Sequence, residues 1–290
     1  MKDIIENRSR LGLSAKLKLA GITVRENGVL WSALMGLYYA TSSIAEATFQ
    51  KAAALRTKSN LPGMNSKSAN KFIWEHWNWD GRGDEWTPSS EWKASVVRTF
   101  VDPLFTNRSV VLEIGPGAGR WTEYLVEKCD RLMGIDISAA CVRECERRFR
   151  NHPHATFAVG NGEDLHTLDS ESIDGVWSFD VFVHINKPQF SSYVAEIARV
   201  LRPGGVGVLH HGSSAGTHGG WRSDVTTADV GDFLRSQGLI VERQLQNWDD
   251  NGRTFEAGLY QDTLTCFRKP SGGGRADHRP SESSPAANST

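Results

Sequence analysis

Short apolar runs recur through the middle of the chain, each closed by glycine or an acidic residue. Val110-Val-Leu-Glu-Ile114 is rich in Val, Leu and Ile, the pattern of a strand buried on both faces. Leu132-Met-Gly-Ile-Asp-Ile137, Ala155-Thr-Phe-Ala-Val-Gly160, Ile173-Asp-Gly-Val-Trp-Ser-Phe-Asp180 and Val206-Gly-Val-Leu-His-His211 repeat it. Between the last two, Tyr193–Leu201 has helical apolar spacing and stops at Arg202-Pro-Gly-Gly205, where proline blocks continuation and glycine takes a left-handed cap. Thr226–Gly238 reads as a further helix, with Thr226 as N-cap and Asp229 in the first turn. Leu239–Gln246 and Leu259–Phe267 supply two more strands. The pattern predicts an α/β chain: a doubly wound, seven-stranded, mostly parallel sheet.

The first predicted strand runs into three alternating glycines, Gly115, Gly117 and Gly119. Such a turn bends sharply and lets a ligand approach the backbone where a β-carbon would obstruct it. In doubly wound domains this turn holds an adenosine-containing cofactor. Glu113, two residues before the first glycine, has the chemistry to accept hydrogen bonds from a cationic amine. The dinucleotide fingerprint spaces its glycines G-x-G-x-x-G; here the third comes one residue early and Arg120 stands in its place. Asp136 closes the second strand 19 residues after Gly117, about where an acid reaches ribose hydroxyls. Asn161-Gly-Glu163 follows the third strand, where a polar side chain and backbone amides face an adenine edge.

These stretches, with Phe179-Asp-Val-Phe-Val-His184 and Leu201-Arg-Pro-Gly-Gly205, resemble the class I S-adenosylmethionine-dependent methyltransferases over roughly residues 90 to 269. The resemblance implies a Rossmann-like methyltransferase fold with S-adenosyl-L-methionine as cofactor. It implies that Glu113, Gly115 and Gly117 hold the methionine end, Asp136 the ribose, and Asn161 with Gly162 the adenine, with Phe179 beside the cofactor. It departs at Asn161, where relatives often carry Asp; an amide still reaches the exocyclic amine. Trp74-Glu-His-Trp-Asn-Trp-Asp-Gly-Arg-Gly-Asp-Glu-Trp86, His210-His211 and Gly220-Trp-Arg-Ser223 also resemble bacterial methyltransferases of sugar and polysaccharide tailoring.

Length and charge narrow the picture. The 290 residues suffice for one sizeable domain with extensions. Lys plus Arg number 33 against 34 Asp plus Glu, so no broad basic surface for nucleic acid is indicated. Cys129, Cys141, Cys145 and Cys266 lack paired zinc spacing, and Cys141 and Cys145 share a helix face as core residues. Met1-Lys-Asp-Ile-Ile-Glu6 lacks the apolar core of a secretory signal, so a cytoplasmic location is expected. Val29–Ala40 is apolar but too short to span a bilayer, and it continues into the helix formers of Ser43–Ala54. That helix packs on the catalytic domain or a second subunit, or lies on a membrane surface as a peripheral contact. The expected divisions are a helical N-terminal extension and connector over 1–70, a Trp-rich lid segment over 71–98, the cofactor-binding domain over 99–269, and a disordered tail over 270–290.

Acceptor chemistry is expected at the carboxyl ends of the fourth and fifth strands, where Asp180, His184, His210 and His211 fall. Strand alternation puts His210 and His211 on opposite faces, and His211, nearer the strand's mouth, is expected to face the cleft as base. For His184 a structural role is expected. A divalent metal on Asp180 and one histidine is a secondary option. Trp74, Trp77, Trp79, Trp86 and Trp92 fall within 19 residues, interleaved with Asp80, Asp84 and Glu85. They read either as a stacking platform for a sugar or glycan acceptor or as a lid over the cofactor. Arg222 reads as an anion-binding group or the partner of a surface acid. The expected activity is O-methylation of a sugar or glycan hydroxyl. The alternatives are a polyketide, peptide or other small natural product as acceptor, or a non-catalytic cofactor-binding partner subunit.

Overall fold

A computed structural model describes residues 13–215, 222–258 and 260–271. It divides into two compact units, one ending at Leu61 and the other beginning at Pro62. The first holds α1 (Leu13–Asn27) and α2 (Val29–Lys58), separated at Gly28 by a left-handed backbone (φ 81°). The predicted connector is therefore shorter than its polar composition suggests, because α2 runs on through Arg56 to Lys58. Among the described residues no helix is long and apolar enough to cross a membrane.

The second unit is built on a seven-stranded sheet ordered β3-β2-β1-β4-β5-β9-β6. Its strands are β1 (Arg108–Ile114), β2 (Cys129–Asp136), β3 (Ala155–Val159), β4 (Ile173–Phe182), β5 (Leu201–His211), β6 (Ile240–Leu245) and β9 (Thr263–Arg268). β1 to β5 pair in parallel, and β9 enters antiparallel between β5 and β6. Central β1 is buried from Val110 onward because helices cover both faces: Leu112 and Ile114 join one core, Val111 the other. Each large side chain buried there contributes about 1.5–3 kcal/mol.

The helices are α3 (Lys67–His76), α4 (Ser90–Val96), α5 (Asp102–Phe105), α6 (Thr122–Leu125), α7 (Ala139–Arg148), α8 (Lys187–Val200) and α9 (Thr227–Ser236). Thr226 and Asp229 close a reciprocal capping box on α9. Cys141 and Cys145 are both buried on α7. A short hairpin, β7 (Asn247–Asp250) with β8 (Arg253–Glu256), was not legible as strand, since its apolar positions are only Trp248 and Phe255. The expected tail beyond Ser271, Gly220, Trp221 and the predicted strand start at Leu259 lie outside the described residues.

Candidate functional site

The glycine turn leaves β1 with Gly115 and Gly117 in the left-handed region (φ 70° and 57°). A β-carbon on Gly117 would come 3.1 Å from the Trp79 ring, which lies over the turn. Gly117 N–H donates to Asp136 Oδ2 at 3.0 Å, and Ser138 N–H to Oδ1 at 2.8 Å. Burial pushes the Asp136 carboxyl up to about 6, against the pull of these amides. Carboxylate lone pairs remain for further donors from the cleft.

Glu113 does not reach the cleft. Alternation along β1 directs it beneath the turn, where the Thr122 hydroxyl donates to Oε2 at 2.6 Å and only 2% of the residue is exposed. Burial raises its carboxyl to about 8, partly offset by Thr122. This hydrogen bond ties the end of β1 to α6. Asn161, which is exposed, closes its own loop: Oδ1 accepts from Glu163 N–H (2.8 Å) and Asp164 N–H (3.0 Å), while Nδ2 donates to Asp164 (2.9 Å). Gly160 and Gly162, by contrast, line the cleft.

The cleft encloses about 1080 Å³, including space open to solvent. Its floor is the glycine turn, Asp136, Ile137, Phe179 and Asp180; its roof is Trp74, Trp79 and Trp86. The roof is well anchored. Trp79 Nε1 donates to Trp74 O (3.1 Å), Arg120 to Gly83 O (2.9 Å), and Lys93 bridges Asp84 (2.7 Å) and Glu123 (2.9 Å). His184 lines the cleft against Trp74, their rings 5.4 Å apart. Trp77 sits at the outer side with Nε1 on Glu85 (3.0 Å). Trp92 is a core residue instead, its Nε1 on Glu256 O (2.8 Å) and its ring among Trp121, Phe179 and Trp248.

Between Ser178 and Phe182 the pairing of β4 with β5 slips, so that Phe179, Asp180 and Val181 oppose His210 alone. The bulge puts Asp180 in the left-handed region (φ 60°) and turns its carboxylate into the cleft. Arg120 Nη2 lies 2.8 Å from Asp180 Oδ2, and His210 Nδ1 lies 3.0 Å from Oδ1. Burial would raise the Asp180 carboxyl, but Arg120, then His210 and Arg222, hold it well below the usual carboxylate range. Beyond the histidine, Nε2 stands 3.8 Å from Asp262, which Arg222 pairs at 3.0 Å.

The two histidines lie on opposite faces, as alternation predicts, but His210 rather than His211 stands beside Asp180. His210 stacks on Phe179 (centroids 4.2 Å) behind Asp180, whereas His211 packs edge-on to Phe190 on the other face. His211 Nε2 meets Thr265 Oγ1 and Nδ1 meets Gly212 O, each at 2.7 Å, and burial lowers its pKa to about 4. It faces the core because the bulge lies in β4, leaving β5 regular, so proximity to the strand's end does not bring a side chain to the cleft. Asp180 and a histidine do meet, but with a guanidinium; among the described residues no group of three or more His, Cys, Asp and Glu could hold a metal ion.

Arg120 and Asp262 were not singled out by sequence. Arg120 carried a signal, as the charged residue occupying a glycine position of the dinucleotide pattern; Asp262 carried none.

A profile described as a methyltransferase domain matches residues 111–205. Phthiotriol/phenolphthiotriol dimycocerosates methyltransferase 1 of Mycobacterium ulcerans is 36% identical over 101 residues, covering 33% of this chain and 34% of that protein. A probable S-adenosylmethionine-dependent methyltransferase of Mycolicibacterium smegmatis is 36% identical over 97 residues, 33% of this chain and 35% of that one. The shared part is thus about a third of these curated relatives. Among solved structures, the N-methyltransferase NodS of Bradyrhizobium japonicum, in complex with S-adenosyl-L-homocysteine, superposes with a TM-score of 0.56 at 20% identity. It covers 71% of this chain and 99% of NodS, a likeness of fold.

Proposed function

We propose that this chain, which carries a domain of the class I S-adenosylmethionine-dependent methyltransferase family, methylates a hydroxyl of a sugar or glycan precursor. The observation that carries the reading is that one cleft joins the glycine turn and Asp136 to the Asp180–His210 pair under an aromatic roof. The residues fit the cofactor: Gly115 and Gly117 let it approach the backbone of the turn, and Asp136 stands where ribose hydroxyls are bound in this fold. S-adenosylmethionine supplies a methyl group on a sulfonium, open to in-line attack.

The chain's own residues then align the acceptor and take its proton. Asp180 accepts a hydrogen bond from the acceptor hydroxyl, orienting the oxygen. As the new C–O bond forms, that proton becomes strongly acidic, so even a carboxylate held low receives it. Asp180 is thus the general base, a contribution of roughly 10²–10⁴-fold, with His210 holding its carboxylate from behind, and the proton leaves to solvent as the product is released. The Trp roof excludes water that would otherwise compete for the cleft, and its faces suit the apolar faces of sugar rings.

A second reading takes a polyketide, peptide or other small natural product as acceptor. The mycobacterial relatives' name, a phthiotriol methyltransferase, favours it. The matched domain, residues 111–205, contains Arg120, Phe179 and Asp180 but not the Trp segment, His210 or Asp262. Incubating the protein with methyl-labelled S-adenosylmethionine and separate panels of nucleotide sugars, glycans and polyketide alcohols decides between them. Label in a carbohydrate product supports the first reading; label only in the other panel replaces it. Cofactor binding without turnover on any acceptor would favour a non-catalytic subunit.

A further inference from the structure

One buried side chain aimed at this cleft has nothing to bond. Asn65, in the one-turn 3₁₀ segment Gly63–Asn65, is 5% exposed and lines the cleft, yet neither Oδ1 nor Nδ2 has a hydrogen-bond partner. Its backbone, in contrast, is fixed from two sides. Asn70 Nδ2 reaches both Asn65 O (3.4 Å) and His184 O (3.2 Å), and Asn186 Nδ2 donates to Pro62 O at 3.0 Å. A buried amide left unpaired costs about 1–3 kcal/mol, so a fold that pins the backbone and strands the side chain implies a ligand.

The place identifies the ligand's chemistry. Lys67, two residues on, pairs with Glu163 at 2.6 Å, and its Cγ lies 3.4 Å from where a Gly162 β-carbon would stand. Lys67 therefore touches the loop that follows β3, where Gly162 meets Ile137 at the end of β2, and Asn65 lies between that loop and the one after β4. A base attached to a ribose at Asp136 would lie there. Asn161 has spent its own amide on closing that loop.

We infer that the Asn65 carboxamide reads the adenine edge of the cofactor, accepting from the exocyclic amine and donating to the neighbouring ring nitrogen. This inference rests on the S-adenosylmethionine reading of the cleft. An asparagine side chain offers one donor beside one acceptor, the complement of that edge. The base would then be recognised by a residue that lies outside the matched domain.

The test is calorimetric titration of S-adenosylhomocysteine, and of its purine-riboside analogue lacking the 6-amino group, into wild type and Asn65→Leu. Asn65→Leu should weaken S-adenosylhomocysteine roughly tenfold. Loss of the amine should weaken wild type similarly, and the two losses should not add in full. Ligand-free Asn65→Leu should melt at or above the wild-type temperature, since an unpaired buried amide has been removed. Unchanged affinity in Asn65→Leu, fully additive losses, or a clearly lower ligand-free melting temperature would each overturn the assignment while leaving the cofactor reading intact. Wild type that binds neither ligand would remove both.

Discussion

Asp180 and His210 face each other, Oδ1 to Nδ1 at 3.0 Å, only because β4 carries two more residues than β5 at that level. A regular ladder would alternate Asp180 with its neighbours and give no such pair. The left-handed backbone at Asp180 is the local cost of that bulge, and strain of this kind concentrates at functional sites.

Separating the two histidines is the first expectation. His210→Ala should lower kcat by roughly 10²-fold or more with S-adenosylhomocysteine affinity nearly unchanged. His211→Ala should reduce stability, since Thr265 and Gly212 lose a buried partner, yet keep turnover at permissive temperature. Steady-state kinetics beside thermal melts would show this; loss of turnover confined to His211→Ala would reverse the assignment.

Glu113 sets an alkaline limit on the ligand-free protein. Its carboxyl rises from 4.5 to about 8, so its contribution is fully present below about 4.5 and is lost as pH rises through about 8. Asp136, raised to about 6, acts in the same direction. Glu113→Gln should flatten the fall in melting temperature between pH 5 and 9 (roughly the span of that titration), gaining several degrees at the upper end. An identical pH profile would mean that Glu113 ionises freely in the fold.

His211 acts at the other end of the scale. Its pKa falls from 6.5 to about 4, so the stability tied to its neutral form is present above 6.5 and is lost as pH drops towards 4. His211→Gln should show a shallower acid limb in melts taken across that range. A limb as steep as wild type would place the acid sensitivity elsewhere.

Trp79 lies over Gly117, so a cofactor on the turn should contact its ring. Trp79→Ala should weaken S-adenosylhomocysteine by roughly 3 kcal/mol or less, the scale of losing a large apolar contact. Equilibrium dialysis measures it; full affinity would make the roof a cover for the acceptor alone.

Much of this was legible in the chain. The apolar runs fixed strands β1 to β5, and Asp136 stood at the spacing that puts it beside the glycine turn. Orientation was less accessible. Its neighbours in sequence set Glu113 beside the cofactor turn, and β1 alternation directs its side chain to Thr122. Position along β5 favours His211 over His210, because a bulge in a partner strand leaves no mark on the strand that faces it. Asn65 sat in a polar stretch that reads as a linker, and only burial sets it apart from its neighbours. Trp92 resembled the other tryptophans in spacing, yet a packed core surrounds it.

Asp136→Ala, titrated with S-adenosylhomocysteine beside wild type, probes the arrangement most directly. One molecule per wild-type chain is predicted, with affinity weakened by about 1–3 kcal/mol in the variant, whose ribose partner is gone. No binding to wild type, or equal affinity in both, would contradict a cofactor held between the glycine turn and the end of β2.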